Sequence, residues 1–363
     1  MSPMSSTALD QQRTSRVSPL TSPDRLRREF PVNGRVADIV ACSRRDVVDV
    51  LNGRDDRLVV VVGPCSIHDP AAALDYAHRL AAHADLLAGE LRIVMRAYFE
   101  KPRSTVGWKG LINDPGLDGS FDVNGGLRTA RGLLLDIIGM GLPVGCEFLD
   151  PITPQYLADV VTWGSIGART AASQVHRQLV SGLSMPVGIK NSTDGDVQVA
   201  VDGVGASRAG HVFMGIDEDG VAALITTDGN PDAHVILRGG SAGPNYDAAS
   251  VGSAQRALRK AGLPGRVIID ASHGNSGKDH IRQAGVVREI ASRIAADERG
   301  VAGVMLESFI AAGRQEIGAS MTYGQSVTDA CMDWNTTAAL LDELAGAVAA
   351  RRSLTYGGWQ LNA

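Results

Sequence analysis

The sequence predicts an α/β chain closed into a single (β/α)8 TIM barrel, and three observations carry that reading. Short runs rich in Val and Ile recur between residues 58 and 309 without polar alternation, as in strands buried on both faces of a parallel sheet. Most runs are followed by a polar or glycine-rich loop and then by an amphipathic segment. The later runs end in chemically capable polar residues and no GxGxxG follows the first, which favours a barrel over a doubly wound sheet.

In chain order, residues 1–30 lack periodicity and read as a flexible N-terminal arm. A barrel domain over 31–363 follows, with 31–57 as an extension ahead of the first strand. The runs are LVVVVGP (58–64), LRIVMRAY (91–98), VGCEFLD (144–150), SIGART (165–170), VGIKN (187–191), HVFMGI (211–216), HVILRGG (234–240), RVIIDASH (266–273) and GVMLESF (303–309). Asp69 and Pro70 suit the N-cap and first turn of a helix with an apolar stripe of Leu74, Ala77, Leu80, Ala84 and Leu87. Thr153 and Pro154 repeat the device ahead of Leu157, Val160 and Val161, and Asn335 opens a last helix through Leu340, Leu341 and Leu344. Nine runs compete for eight strands. HVILRGG follows a stretch too short for a helix, so both are expected in an elaborated loop after strand six.

Composition narrows the class. The 363 residues carry 35 Lys and Arg against 40 Asp and Glu, a net charge of −5, which leaves no electrostatic footprint for nucleic acid or an anionic membrane. No run of 18 apolar residues suggests a membrane span. Cys42, Cys65, Cys146 and Cys331 form no CxxC pair, which fits neither a disulfide scaffold nor a zinc ribbon. The Ser- and Arg-rich start has no apolar block, so it is not a secretory signal, and Asp10, Asp24 and Glu29 count against a transit peptide. A cytoplasmic enzyme is expected.

The chemistry-bearing residues fall at the C-terminal ends of the runs, where a barrel builds its active site. They are Cys65, Arg96, Lys101, Arg103, Glu147, Arg169, Lys190, Arg238, Asp270, His273 and Glu307. A convergent basic group in a net-acidic chain points to anions, with phosphate and carboxylate oxygens the natural ones. The plainer alternative is that each cation pairs with a neighbouring acid. Cys65, His273, Glu307 and an acid from GQSVTDACMDW (324–334) also make a mixed donor set that suits Mn²⁺, Fe²⁺, Co²⁺ or Zn²⁺. Taken singly, Cys65 reads more simply as a small buried hydrophobe.

Several segments then carry a resemblance. GPCSIHDP (63–70), MRAYFEKPRSTVGWKGLINDP (95–115), EFLDPITPQY (147–156), GARTAASQVHR (167–177), KNSTDG (190–195), HVILRGG (234–240), DASHGNSGKD (270–279) and VMLES (304–308) closely resemble 3-deoxy-D-arabino-heptulosonate 7-phosphate (DAHP) synthases. The resemblance is to the type I, amino-acid-regulated branch, in matching order from about residue 30 to 345. It implies condensation of phosphoenolpyruvate with erythrose 4-phosphate, release of phosphate, and the opening step of the shikimate pathway.

Carried over residue by residue, the resemblance puts a divalent metal on Cys65, His273, Glu307 and Asp329. It puts phosphoenolpyruvate on Arg96, Lys101, Arg169, Lys190 and Arg238, with Glu147 lining the pocket. Arg169 and Arg238 would face the phosphate, and Arg96 and Lys190 the carboxylate. Arg103 and Ser104 would meet the phosphate of erythrose 4-phosphate, Lys109 would be a further substrate-binding residue, and Lys101 would deliver a proton. An aromatic amino acid would inhibit from Asp150, Pro154, Gln155, Leu179, Leu183, Ser184, Phe213 and Gly215. Gly215, where some relatives carry Ser, favours tyrosine; the plain alternative is relief of crowding at a strand end. A homodimer or homotetramer is implied, with 31–57 an interface extension and 217–233 a regulatory insertion. Where relatives read TES and KNGTDG, this chain reads AAS (171–173) and KNSTDG, neither at an assigned residue. The rivals are a sibling synthase that takes arabinose 5-phosphate, a non-catalytic phosphate-binding barrel, and a Schiff-base lyase.

Overall fold

A computed structural model describes residues 13–103 and 106–360, with side chains up to residue 354. Eight parallel strands form a closed barrel: β1 (Leu58–Gly63), β2 (Leu91–Arg96), β3 (Val144–Glu147), β4 (Trp163–Ile166), β5 (Val187–Lys190), β8 (His234–Leu237), β9 (Val267–Asp270) and β10 (Val301–Glu307). Pairing of β1 with both β2 and β10 closes the ring. Between the strands run α3 (Pro70–Leu86), α4 (Val123–Gly139), α5 (Pro154–Leu157), α6 (Gln174–Gly182), α7 (Gln198–Ser207), α8 (Ala248–Lys260), α9 (His273–Ser276) and α10 (His280–Ala295). α11 (Trp334–Gln360) follows the last strand and packs on α10.

The continuous apolar runs are strands for the reason their pattern implied. Every residue of β1 and β10 is buried, since one face meets the barrel interior and the other the helices. Inside, Val59, Val61, Val94, Trp163, Ile236, Ile268 and Met305 form one cluster. The floor of this cluster is closed by α2 (Gly34–Leu51), which contributes Val47, Val50 and Leu51. Burying each of these three contributes roughly 1.5–3 kcal/mol.

Five expectations need correction. Barrel strand six is HVILRGG, not HVFMGI: His234–Leu237 pairs with β5 and β9 and is fully buried. HVFMGI instead gives β6 (Val212–Ile216), which pairs antiparallel with β7 (Ala222–Thr226) in a separate two-stranded sheet. This hairpin precedes strand six, and its outer face leaves Met214 87 % and Leu224 72 % exposed. The cause is a reversing turn: the Asp217 carboxylate accepts from Asp219 and Val221 N–H, and Gly220 takes φ +80°.

The arm is ordered in its last third. Ser22 caps α1 (Pro23–Glu29), whose Leu26 is buried; Asp24 N–H donates to Glu218 O at the hairpin tip. Residues 1–12 lie outside the described residues. Thr153 makes no cap of its own, because its hydroxyl donates to Asp150, whose carboxylate accepts from Ile152 and Thr153 N–H. The last helix opens at Trp334 rather than Asn335, with Asp333 accepting from Thr336 N–H. Asp69 does cap α3, but the stripe turns toward Ala72, Ala73 and Tyr76, which are buried with Ala77 and Leu80. Among the described residues no helix is long and apolar enough to cross a membrane.

Candidate active site

The strand ends converge on a cavity of about 260 Å³ at the C-terminal mouth of the barrel. Gly63 ends β1 at φ +154°, where a Cβ would lie 2.8 Å from Arg96 O; only glycine lets β1 and β2 approach so closely here. Arg96 is 1 % exposed, and its guanidinium lies 3.8 Å above the Tyr98 ring. The same group donates to the backbone carbonyls of Pro64 and Cys65 and to Glu307 Oε1 at 3.2 Å. Glu307 is itself fixed from behind. Buried Gln283 of α10 donates to Glu307 O at 3.0 Å and accepts from Glu307 N–H at 2.8 Å.

Beside Arg96, one donor atom each from Cys65, Glu307 and Asp329 lies within 4.8 Å of the others. His273 Nε2 stands 3.8 Å from Glu307 Oε1, on the edge of this cluster. Burial opposes ionisation of Glu307 and Asp329, yet His273 and Lys101 hold both below the usual carboxylate range. Burial and the Glu307 charge push the Cys65 thiol up. The cluster is built for a cation, and Lys101 supplies one: its Nζ is 2.8 Å from Cys65 Sγ and 3.2 Å from Asp329 Oδ2. Burial penalises this ammonium, but Cys65, Glu307 and Asp329 outweigh it and raise its pKa. A thiol, two carboxylates and an imidazole edge that already accommodate a positive charge fit a divalent metal.

Across the cavity, Lys190 ends β5 with Nζ 3.1 Å from Asp270 Oδ2. Arg238 follows β8. Its Nε is buried with no hydrogen-bond partner among the described residues, and burial and nearby Arg169 both weaken its charge. Arg169 is exposed and donates to Pro102 O at 3.5 Å. Among the described residues neither arginine forms an ion pair, although Asp270 lies near enough to favour the Arg238 charge, so the two neighbouring cations suit an anion. Glu147 and Arg103 also line the cavity, with Arg103 Nε donating to Trp108 O. Lys109 is exposed and outside the lining; its carbonyl accepts from Lys101 N–H and braces that loop. Ser104 lies outside the described residues.

Sequence reasoning passed over Lys278, whose Nζ is 3.3 Å from Asp329 Oδ1. It also gave no role to Tyr98, Asp270 or Gln283. Lys278 and Asp270 stand in the quoted DASHGNSGKD segment, so a signal existed; Gln283 has none, being a helix residue like any other.

A second, more open cavity of about 480 Å³ lies between α6 and the hairpin. It is lined by Gln155, Leu179, Leu183, Ser184 and Phe213 of the expected effector residues. Asp150, Pro154 and Gly215 are outside the lining. A Cβ on Gly215 would meet Ile225 Cγ1 at 2.8 Å, which supports the crowding account of that glycine.

The chain and its fold are similar to known proteins. A family model described as the DAHP synthetase I family matches residues 29–342. The phospho-2-dehydro-3-deoxyheptonate aldolase of Corynebacterium glutamicum is 55 % identical over 343 residues, covering 92 % of this chain and 93 % of that one. The Phe-sensitive enzyme of that name from Escherichia coli K12 is 53 % identical, covering 94 % and 98 %. A solved phospho-2-dehydro-3-deoxyheptonate aldolase from Francisella tularensis superposes with a TM-score of 0.91 at 48 % identity, covering 93 % of this chain and 99 % of the other. By the extent of these matches, the chain belongs to the DAHP synthetase I family.

Proposed function

We propose that this protein is a 3-deoxy-7-phosphoheptulonate synthase, which condenses phosphoenolpyruvate with D-erythrose 4-phosphate and water to give DAHP and phosphate. The observation that carries the reading is the pairing of two opposite sites in one cavity. Arg169 and Arg238, which form no ion pair among the described residues, line the same cavity as Asp329, whose cluster with Cys65 and Glu307 is set for a cation.

In this reading Arg169 and Arg238 take the phosphate of phosphoenolpyruvate, and Arg96 and Lys190 its carboxylate, with Glu147 along the wall. Arg103, Ser104 and Lys109 serve erythrose 4-phosphate. Cys65, His273, Glu307 and Asp329 would hold a Mn²⁺, Fe²⁺, Co²⁺ or Zn²⁺ ion, which when bound polarises the aldehyde oxygen. C3 of phosphoenolpyruvate then attacks the aldehyde carbon, water adds at C2, and the hemiketal phosphate expels phosphate. The arginines hold the reacting carbons together and stabilise the departing charge. Lys101, kept protonated by its anionic neighbours, is the proton source for the new hydroxyl oxygen.

An aromatic amino acid bound in the second cavity inhibits; absence of inhibition by tyrosine, phenylalanine and tryptophan would refute that reading. The protein works as a cytoplasmic homodimer or homotetramer. One assay tests the activity. Phosphate release from phosphoenolpyruvate must require erythrose 4-phosphate, fail with arabinose 5-phosphate and stop with EDTA. Turnover of arabinose 5-phosphate would assign the sibling reaction instead.

A further inference from the structure

We infer that Asp270 is a positioning residue that ties the metal half of the site to the phosphoenolpyruvate half. This rests on the function proposed above. Asp270 ends β9 with no exposed surface, and its Oδ2 lies 2.9 Å from His273 Nδ1 and 3.1 Å from Lys190 Nζ. These are close ion-pair contacts rather than well-aligned hydrogen bonds. Its Oδ1 accepts from the Ser272 N–H at 3.0 Å and the Ser272 hydroxyl at 2.6 Å. A buried carboxylate persists only when so compensated.

The Ser272 bond decides the state of the imidazole. That hydroxyl has one proton, and it goes to Asp270. Ser272 Oγ, 2.7 Å from His273 Nδ1, can then only accept. Nδ1 faces two acceptors, so it carries hydrogen, which leaves Nε2, the nitrogen that points to Glu307, as the one to meet a metal. The backbone is bent to allow this: His273 sits at φ +50°, an unfavourable region for a non-glycine residue. The other contact of the same oxygen aims Lys190. One carboxylate therefore sets a metal ligand and a substrate cation together.

The test is Asp270→Asn in the full-length chain, read by Mn²⁺ affinity in chelator competition, by KM and kcat for phosphoenolpyruvate, and by ¹⁵N shifts of the His273 ring. Wild type should show the Nδ1–H ring. D270N should lose that signature, bind Mn²⁺ about 10- to 100-fold more weakly, and raise KM more than it lowers kcat. D270N strands the Lys190 charge, so D270N/K190Q, which removes both charges, serves if the single variant does not fold; its Mn²⁺ affinity should fall as far. Unchanged ring shifts with Mn²⁺ affinity within twofold of wild type would overturn the inference. Failure of wild type to bind Mn²⁺ or phosphoenolpyruvate would instead overturn the function it rests on.

Discussion

Glu100 lies 7 % exposed between Lys101 and the Asp150 turn, and its Oε2 has no hydrogen-bond partner among the described residues. Its surroundings are Phe99, Cys146, Phe148 and Leu157. Burial, then the Asp150 and Glu147 carboxylates, push its pKa from the ordinary 4.5 up to about 8. The native state thus keeps a proton that the unfolded chain gives up. Stability from this group is complete below pH 4.5, declines as the pH rises, and is gone above pH 8. At 1.36 kcal/mol per pH interval, the span from 4.5 to 8 corresponds to a loss of about 5 kcal/mol at most. Glu100→Gln keeps a neutral polar group there at every pH. With an unfolding entropy of about 2.1 cal/mol/K per residue, the Tm of E100Q should rise relative to wild type by roughly 6 °C between pH 5 and pH 9. Thermal unfolding of both proteins across that range checks it. A Tm difference that does not change with pH would refute the assignment of the proton to Glu100, whatever its constant offset.

Four further outcomes follow from single contacts. Arg238→Ala removes a charged partner of the phosphate and should raise KM for phosphoenolpyruvate by about 10- to 100-fold, from roughly 1.5–3 kcal/mol per charged hydrogen bond; steady-state kinetics with unchanged KM would count against the phosphate role. Gly63→Ala sets a Cβ against Arg96 O and should lower stability by about 1–3 kcal/mol in denaturant unfolding. Gln283→Leu leaves the buried N–H of Glu307 unpaired, while its C=O keeps the Met332 N–H, so both stability and Mn²⁺ affinity should fall; unchanged affinity would limit Gln283 to packing. Cys65 N–H lies 3.4 Å from Cys331 Sγ. Aerobic oxidation with a redox-active metal should therefore pair the two thiols and inactivate the enzyme reversibly by dithiothreitol, and titration of two free thiols after inactivation would sink the idea.

The sequence exposed the site more fully than it exposed the strand order. Residues such as Arg96, Lys190 and Glu307 were legible because each is a charge abutting an apolar run, an arrangement that makes sense only at the mouth of a barrel. HVFMGI and HVILRGG have nearly the same composition, and what separates them is burial against β5 and β9, which no local window contains. Capping failed for a similar reason. Thr153 and Asn335 are good cap residues, but Asp150 and Asp333 stand nearby and their carboxylates accept more strongly. The clamp of Gln283 on Glu307 arises only when helix and strand meet.

The hairpin leaves and rejoins the barrel at one point: Thr227 N–H donates to His211 O at 2.9 Å, and His211 N–H to Thr227 Oγ1 at 3.0 Å. That closed neck makes the intervening chain an appendix to the architecture. Its length and wording can drift, or be exchanged with another lineage's, while the eight-strand register stays as it is, because loop closure costs little more for a longer loop. A chimaera spliced between 211 and 227 would inherit its barrel from one parent and its outgrowth from another, which makes the neck a seam where evolution can tailor the periphery without recutting the catalyst.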